Sequence, residues 1–216
     1  MRTIRVTGKG MIRVHPDMTR IMITLQGFDP EYGETLRRSS EETEVLRDAL
    51  NGLGFDRSDL KTLSFDVETQ YEYEDRTTYK KRFVGYTYEH RMKVDFESDN
   101  QRLGRILYVL ANSPVCPEVK ICYFVKDQEA AKNEMLAKAV TDAREKAVLL
   151  TQAGGVNLKD IQAIDYSWGE VRFESRLMEC APEAPCRGIS GGSYDLDIEP
   201  DDIDMQDTVT VIWEIG

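Results

Sequence analysis

The feature that most constrains this chain is its hydrophobic period, which switches from strand to helix and back twice across residues 18–125. In residues 18–27, Ile21, Ile23 and Leu25 alternate with Arg20, Met22, Thr24 and Gln26, which predicts a half-buried strand. Residues 31–53 take helical spacing, with Tyr32, Leu36, Ser39, Thr43, Leu46, Leu50 and Leu53 on one stripe. Pro30 before the first turn and Gly52 and Gly54 at the end mark its limits. Two long strands follow, at 61–72 and 82–96. Leu63, Phe65, Val67, Thr69 and Tyr71 share a face of the first; Val84, Tyr86, Tyr88, His90, Met92, Val94 and Phe96 share a face of the second. The polar stretch between them reads as the tip of a long hairpin that projects beyond its sheet. Ser98 to Gln101 reads as a capping box for a helix at 100–112, and a strand at 117–125 closes the series.

The order β-α-β-β-α-β is that of a ferredoxin-like core. It predicts an antiparallel four-stranded sheet with both helices on one face. The opposite face then needs a cover. The candidate is the longest helix, 127–153, where Leu136, Val140, Ala143, Ala147 and Leu150 form a stripe of mostly small residues and Gly154-Gly155 ends the run. A short strand at about 3–7, one at 158–168 and one at 207–215 complete an α+β chain. It reads as one unit over 1–216, with 18–125 as the core and 1–17 with 126–216 as a smaller α/β lobe. Within that lobe, residues 174–206 read as a long loop with one short strand near Tyr194–Ile198.

Composition narrows function by exclusion. The chain has 39 Asp and Glu against 28 Lys and Arg, a formal charge of −11. That balance argues against nucleic acid and against anionic lipid, both of which need clustered cations. No apolar run approaches the length of a membrane helix, so no membrane insertion is expected. The start MRTIRVTGKGMIRV has no apolar leader region, so the chain reads as cytoplasmic. The alternative is a periplasmic or cell-envelope protein whose leader was replaced by Met1.

Motifs for chemistry are sparse. Gly188 to Gly192 matches G-x-S-x-G, but its flanks read as loop and no His follows it. His15 reads as a surface turn, and His90 as a partly buried strand residue with one hydrogen-bond partner. Two histidines this far apart offer no metal cluster. Gly8-Lys9-Gly10 is too short for a phosphate loop. No catalytic residue and no cofactor are assigned, and no small-molecule ligand is indicated.

Two features leave alternatives open. Cys180 and Cys186 bracket a short loop and either form a disulfide, carry redox or metal chemistry, or are incidental thiols. Cys116 and Cys122 read as too far apart on one strand to bond. Asp195, Asp197, Glu199 and Asp201 open an acidic run that is either a solvated face or a weak divalent-cation site; Pro200 stands where a calcium loop needs Gly. Tyr71, Tyr73, Tyr79, Tyr86 and Tyr88 cluster in the hairpin, as an assembly surface or as ordinary strand packing.

Several short segments, in order, resemble one family. They are Val6-Thr7-Gly8-Lys9-Gly10 with Pro16-Asp17, Asp59-Leu60-Lys61-Thr62, Gly85-Tyr86, Ala139 with Asp142-Ala143-Arg144-Glu145-Lys146-Ala147, and Val209-Thr210-Val211. This pattern resembles the SIMPL-domain (DUF541) proteins. The resemblance implies a bacterial protein, often exported to the periplasm or envelope and not known as an enzyme. Some members are linked to oxidative-stress defence and some self-assemble, so a homo-oligomer is expected. A thiol-redox or metal-sequestering protein is the alternative.

Overall fold

A computed structural model of the chain describes residues 2–75, 80–166, 173–175, 178–180 and 198–216. The chain divides into a central unit (residues 18–123 and 176–199) and a terminal unit (residues 1–17, 124–175 and 200–216).

The central unit begins with β2 (Met18–Asp29), counting from β1 (Arg2–Val14). Then come α1 (Tyr32–Asn51), β3 (Lys61–Asp75), β4 (Lys80–Glu97), α2 (Asn100–Ala111) and β5 (Glu118–Phe124). The short β7 (Met178–Cys180) joins the same sheet, in the order β3-β4-β2-β5-β7. The first four positions are the ferredoxin-like order that the periodicity predicts. Alternation sets which side chains go in: Ile21, Ile23 and Leu25 of β2 and Met92, Val94 and Phe96 of β4 are buried with Leu46 and Leu50 of α1 and Leu103, Ile106 and Leu110 of α2. Each such side chain contributes roughly 1.5–3 kcal/mol by leaving water.

The opposite face of β2 and β4 corrects an expectation. It carries a half-buried network of charged and polar side chains in place of an apolar layer. Arg20 donates two hydrogen bonds to Asp95, at 2.8 and 3.0 Å, and Lys93 a third at 3.1 Å. Gln26 donates to Glu89 at 2.9 Å, and Arg91 pairs with the same carboxylate. Burial opposes ionisation of Asp95, but the Arg20 and Lys93 bonds outweigh it and hold the carboxyl below its usual range.

The terminal unit holds β1, α3 (Gln128–Ala153), β6 (Leu158–Asp165) and β8 (Ile203–Ile215), with sheet order β1-β8-β6. The long helix belongs here. Ala131, Met135, Ala139, Ala143 and Ala147 recur every fourth residue and are buried with Val6, Ile12, Val209, Val211 and Trp213 of β1 and β8. So α3 covers the sheet of its own unit, where the sequence pattern suggests a cover for the central sheet.

Gly8 and Gly10 explain how close it comes. A Cβ on Gly8 would lie 2.0 Å from the Ala139 carbonyl oxygen, and one on Gly10 1.9 Å from that of Met135. Backbone thus packs on backbone, which requires glycine on one side and alanine on the other. Asp142 fixes the register of this contact: its Oδ2 accepts from the Lys9 backbone N–H and from Lys146 Nζ, both at 2.7 Å.

Boundaries differ from expectation where glycine and acid interrupt the pattern. β1 runs to Val14, straight through Gly8-Lys9-Gly10, and β8 begins at Ile203. Asp99, not Ser98, caps α2, accepting from Gln101 and Arg102 N–H groups; the Ser98 hydroxyl bonds Thr19. The strand expected near 194–198 lies outside the described residues except for Ile198, which packs on the central core. The strand β7, opposite Val119–Ile121 of β5, was not expected.

Candidate functional site

The hairpin of β3 and β4 carries the most exposed aromatic surface described. Its strands pair in register from Ser64↔Arg91 to Gln70↔Gly85, then a bulge shifts the pairing to Tyr71↔Phe83. Gly85 adopts φ 155 at that bulge, and a Cβ there would meet the Asp29 carbonyl oxygen at 2.5 Å. The bulge brings Phe83 onto the face that carries Tyr86 and Tyr71. The rings form a chain of edge contacts: Tyr71–Phe83 at 5.8 Å, Phe83–Tyr86 at 5.2 Å and Tyr86–Tyr32 at 5.3 Å. Tyr71 and Tyr73 are more than half exposed (52% and 58%), and Phe65, Phe83, Leu63 and Tyr32 are exposed as well. The helices cover the sheet only as far as the start of α1, so the apolar face runs on into solvent.

Tyr88 corrects the expected set. It is fully buried, so it belongs to no assembly surface. Its hydroxyl donates a short hydrogen bond to Glu42 of α1, whose other oxygen accepts from Arg38 Nε at 2.8 Å. Burial first, and the Glu42 bond second, push the phenol well above its usual range. Tyr86 and Tyr88 have the same place in the strand's alternation; α1 lies over one and stops short of the other. Tyr79 lies outside the described residues.

Beside Tyr88 lies a group of buried polar residues, of which Ser39 and Thr43 stand on the expected stripe of α1 and Thr35 does not. Thr35, Ser39 and Thr43 sit on the inward face of α1, while Tyr32 and Leu36 are turned outward. Thr43 Oγ1 donates to the Ser39 carbonyl at 2.7 Å and accepts from His90 Nδ1 at 3.1 Å. His90 Nε2 meets Thr62 Oγ1 at 2.9 Å, so this histidine has two partners where one was expected. Burial, then the Arg47 charge, lower its pKa below the usual 6.5. Sequence shows small polar residues at helical spacing; it does not show which neighbour satisfies them.

The other candidates are dispersed. Cys116 lies in the turn before β5, with φ 39, so it does not share the strand with Cys122 as expected. Cys180 stands opposite Val119 in β7, and Cys186 lies outside the described residues. Asp195 and Asp197 also lie outside them, while Glu199 and Asp201 are exposed. Beyond these, His15 meets Asp202 at 3.1 Å and Arg13 donates to Asp204 at 2.8 Å. Among the described residues no group of three or more His, Cys, Asp or Glu is placed to hold a metal ion. No described helix is long and apolar enough to cross a membrane.

Residues 4–213 match the SIMPL family, described as a protein of unknown function (DUF541). The chain is similar to a protein named "26 kDa periplasmic immunogenic protein" from Brucella abortus (strain S19). The two are 27% identical over 157 residues, which is 72% of this chain and 62% of the relative. A protein of the same name from Brucella melitensis biotype 1 is 26% identical over the same shares. The matched region thus spans less than two thirds of these relatives. Their names place them in the periplasm and give no support to a cytoplasmic reading.

Proposed function

Because this chain belongs to the SIMPL (DUF541) family, we propose that it is a non-enzymatic, self-associating protein of the bacterial envelope. The observation that carries the reading is the exposed aromatic face of the β3–β4 hairpin. A contiguous apolar face of this kind marks an interaction surface. Its rings are held by cross-strand partners, so little side-chain entropy remains to be lost on contact. The names of the Brucella relatives support the periplasm as the compartment.

Multi-angle light scattering across micromolar concentrations tests the association. The expected result is a mass that is a multiple of 24.7 kDa and that falls on dilution. A mass of one chain at every concentration is the opposing result. Fractionation of bacterial cells expressing the chain from its native start tests the compartment: release with the periplasmic fraction is expected, and retention with cytosolic markers would refute it.

A further inference from the structure

Most described arginines of the central unit hold a carboxylate, as Arg20, Arg37, Arg38, Arg47, Arg57 and Arg91 do. Arg102 and Arg105 do not. Among the described residues neither makes an ion pair. Asp99, in the adjoining turn, accepts instead from the Gln101 and Arg102 backbone N–H groups. With Ile106, Gly52 and Leu53, the two arginines line an open cleft of about 170 Å³ between α2 and the end of α1. Arg102 is fixed there: its guanidinium lies over the Phe55 ring, 4.2 Å from the centre, and 5.5 Å from the centre of Phe96. Both rings are buried. A ring face engages the cation and leaves the N–H fork free for another partner. Arg105 Nε donates to the Gln101 carbonyl at 3.4 Å, which leaves its terminal nitrogens uncommitted among the described residues.

The opposite wall is a fixed turn. The Leu53 and Phe55 N–H groups donate to the Leu50 carbonyl and that of Gly54 to Asn51, while Asn51 Nδ2 donates to the Phe55 carbonyl at 3.2 Å. Gly52 has φ −58, which any residue adopts. A Cβ there would meet only the Ala49 and Asp48 carbonyl oxygens, at 3.4 and 3.8 Å. Neither conformation nor packing calls for glycine at 52. The missing side chain leaves the cleft open.

We propose that this cleft binds a small divalent oxyanion of the phosphate type, held by Arg102 and Arg105. One dianion neutralises the two guanidinium charges. Residues three apart on a helix have Cβ atoms about 5–6 Å apart, so two forks can hold different oxygens of one tetrahedral anion. The cleft is smaller than the roughly 300–1,000 Å³ of pockets for drug-sized ligands, so the occupant is a free ion or the phosphate group of a larger molecule. The net charge of −11 repels anions in general, so binding here comes from these two groups. A purely structural role is to balance the carbonyl end of α1, whose last turn has no basic residue. That role needs neither a stacked fork nor an open cleft. The site is independent of self-association.

Isothermal titration calorimetry of the full chain with inorganic phosphate, above neutral pH, tests the site. Saturable one-site binding with a Kd of about 1 mM or tighter is expected. Arg105→Gln, an exposed change, and Gly52→Leu, which fills the cleft and keeps both arginines, should each weaken it about tenfold or more. Arg144→Gln, the same loss of charge at an exposed position of α3, should leave it unchanged. Acetate, with one charge, should bind about tenfold more weakly than phosphate. Glycerol phosphate distinguishes the sources: binding as tight as phosphate or tighter supports a phosphate group on a larger molecule, and weaker binding supports the free ion. No saturable binding by the wild type, binding unmoved by Arg105→Gln and Gly52→Leu, or acetate as tight as phosphate would overturn the proposal.

Discussion

The two units solve the same problem, a helix over a sheet, with opposite materials. In the terminal unit α3 meets β1 backbone to backbone, with Gly8 and Gly10 facing Met135, Ala139 and Ala143. In the central unit α2 and the last turns of α1 stand off from the sheet on large side chains: Ile21, Leu25, Leu46, Ile106 and Met92 fill the gap. The first arrangement is intolerant of added volume, because a carbonyl oxygen cannot move aside as a side chain can. The second tolerates repacking better but depends on cover, and cover ends at Tyr32. What lies beyond, the aromatic half of the hairpin, is apolar surface that the central unit makes and does not bury.

Breaking the contrast should cost most in the terminal unit. Gly10→Ala places a methyl within 1.9 Å of the Met135 carbonyl oxygen. It is expected to destabilise the chain by about 3 kcal/mol or more, read from the midpoint of urea unfolding. A loss under about 1 kcal/mol would show that α3 is free to slide.

A core truncation in the central unit should cost less than its volume alone suggests only if α1 can settle onto the sheet. Leu46→Ala, at a fully buried position, is expected to lose about 2–4 kcal/mol. A loss at the bottom of that range, with a native-like fold, marks the more adjustable interface.

Next in size comes a pH effect at the same α1 seam. The native pKa of His90 lies below its unfolded value of about 6.5. As pH falls through that value the unfolded chain binds a proton that the native state refuses, so stability drops until the native pKa is passed. Stability is therefore fully present above about pH 7 and declines below it. Urea unfolding of wild type and His90→Gln at pH 7 and pH 5.5 separates this slope from that of the carboxylates. Wild type should lose more of its stability than the variant over the interval; equal losses would contradict the reading.

The smallest effect is expected at the paired surface charges. Arg13→Gln removes the exposed bond to Asp204 and is expected to leave the midpoint of urea unfolding almost unchanged. A marked shift would show that the acidic strand β8 depends on β1 for charge as well as for pairing.

Much of the fold was legible because period and burial agree. The alternation of β2 and β4, and the helical spacing of Leu46, Leu50, Leu103 and Ile106, were enough to order the central elements. The failures share a physical cause. Gly8-Lys9-Gly10 weakens the strand signal at the point where α3 comes closest, so β1 looked short. Ile203 and Met205 point inward between acids, so the start of β8 looked like loop. A stripe of alanines fits any flat partner, and nothing in it selects the terminal sheet over the central one. The hairpin tyrosines were visible as a cluster. Separating buried Tyr88 from its exposed neighbours needed the end point of α1, and linking them to Phe83 needed the bulge at Gly85.

The central claim is that the uncovered hairpin face is covered by a second copy. The most direct test is light scattering of the wild type beside a Tyr71→Ser, Phe83→Ser double variant at matched concentration. Tyr71 and Phe83 are exposed, so the fold should survive, as circular dichroism would show. The account predicts an associated wild type and a variant of one chain mass. Equal masses for the two, whether associated or single, would contradict it.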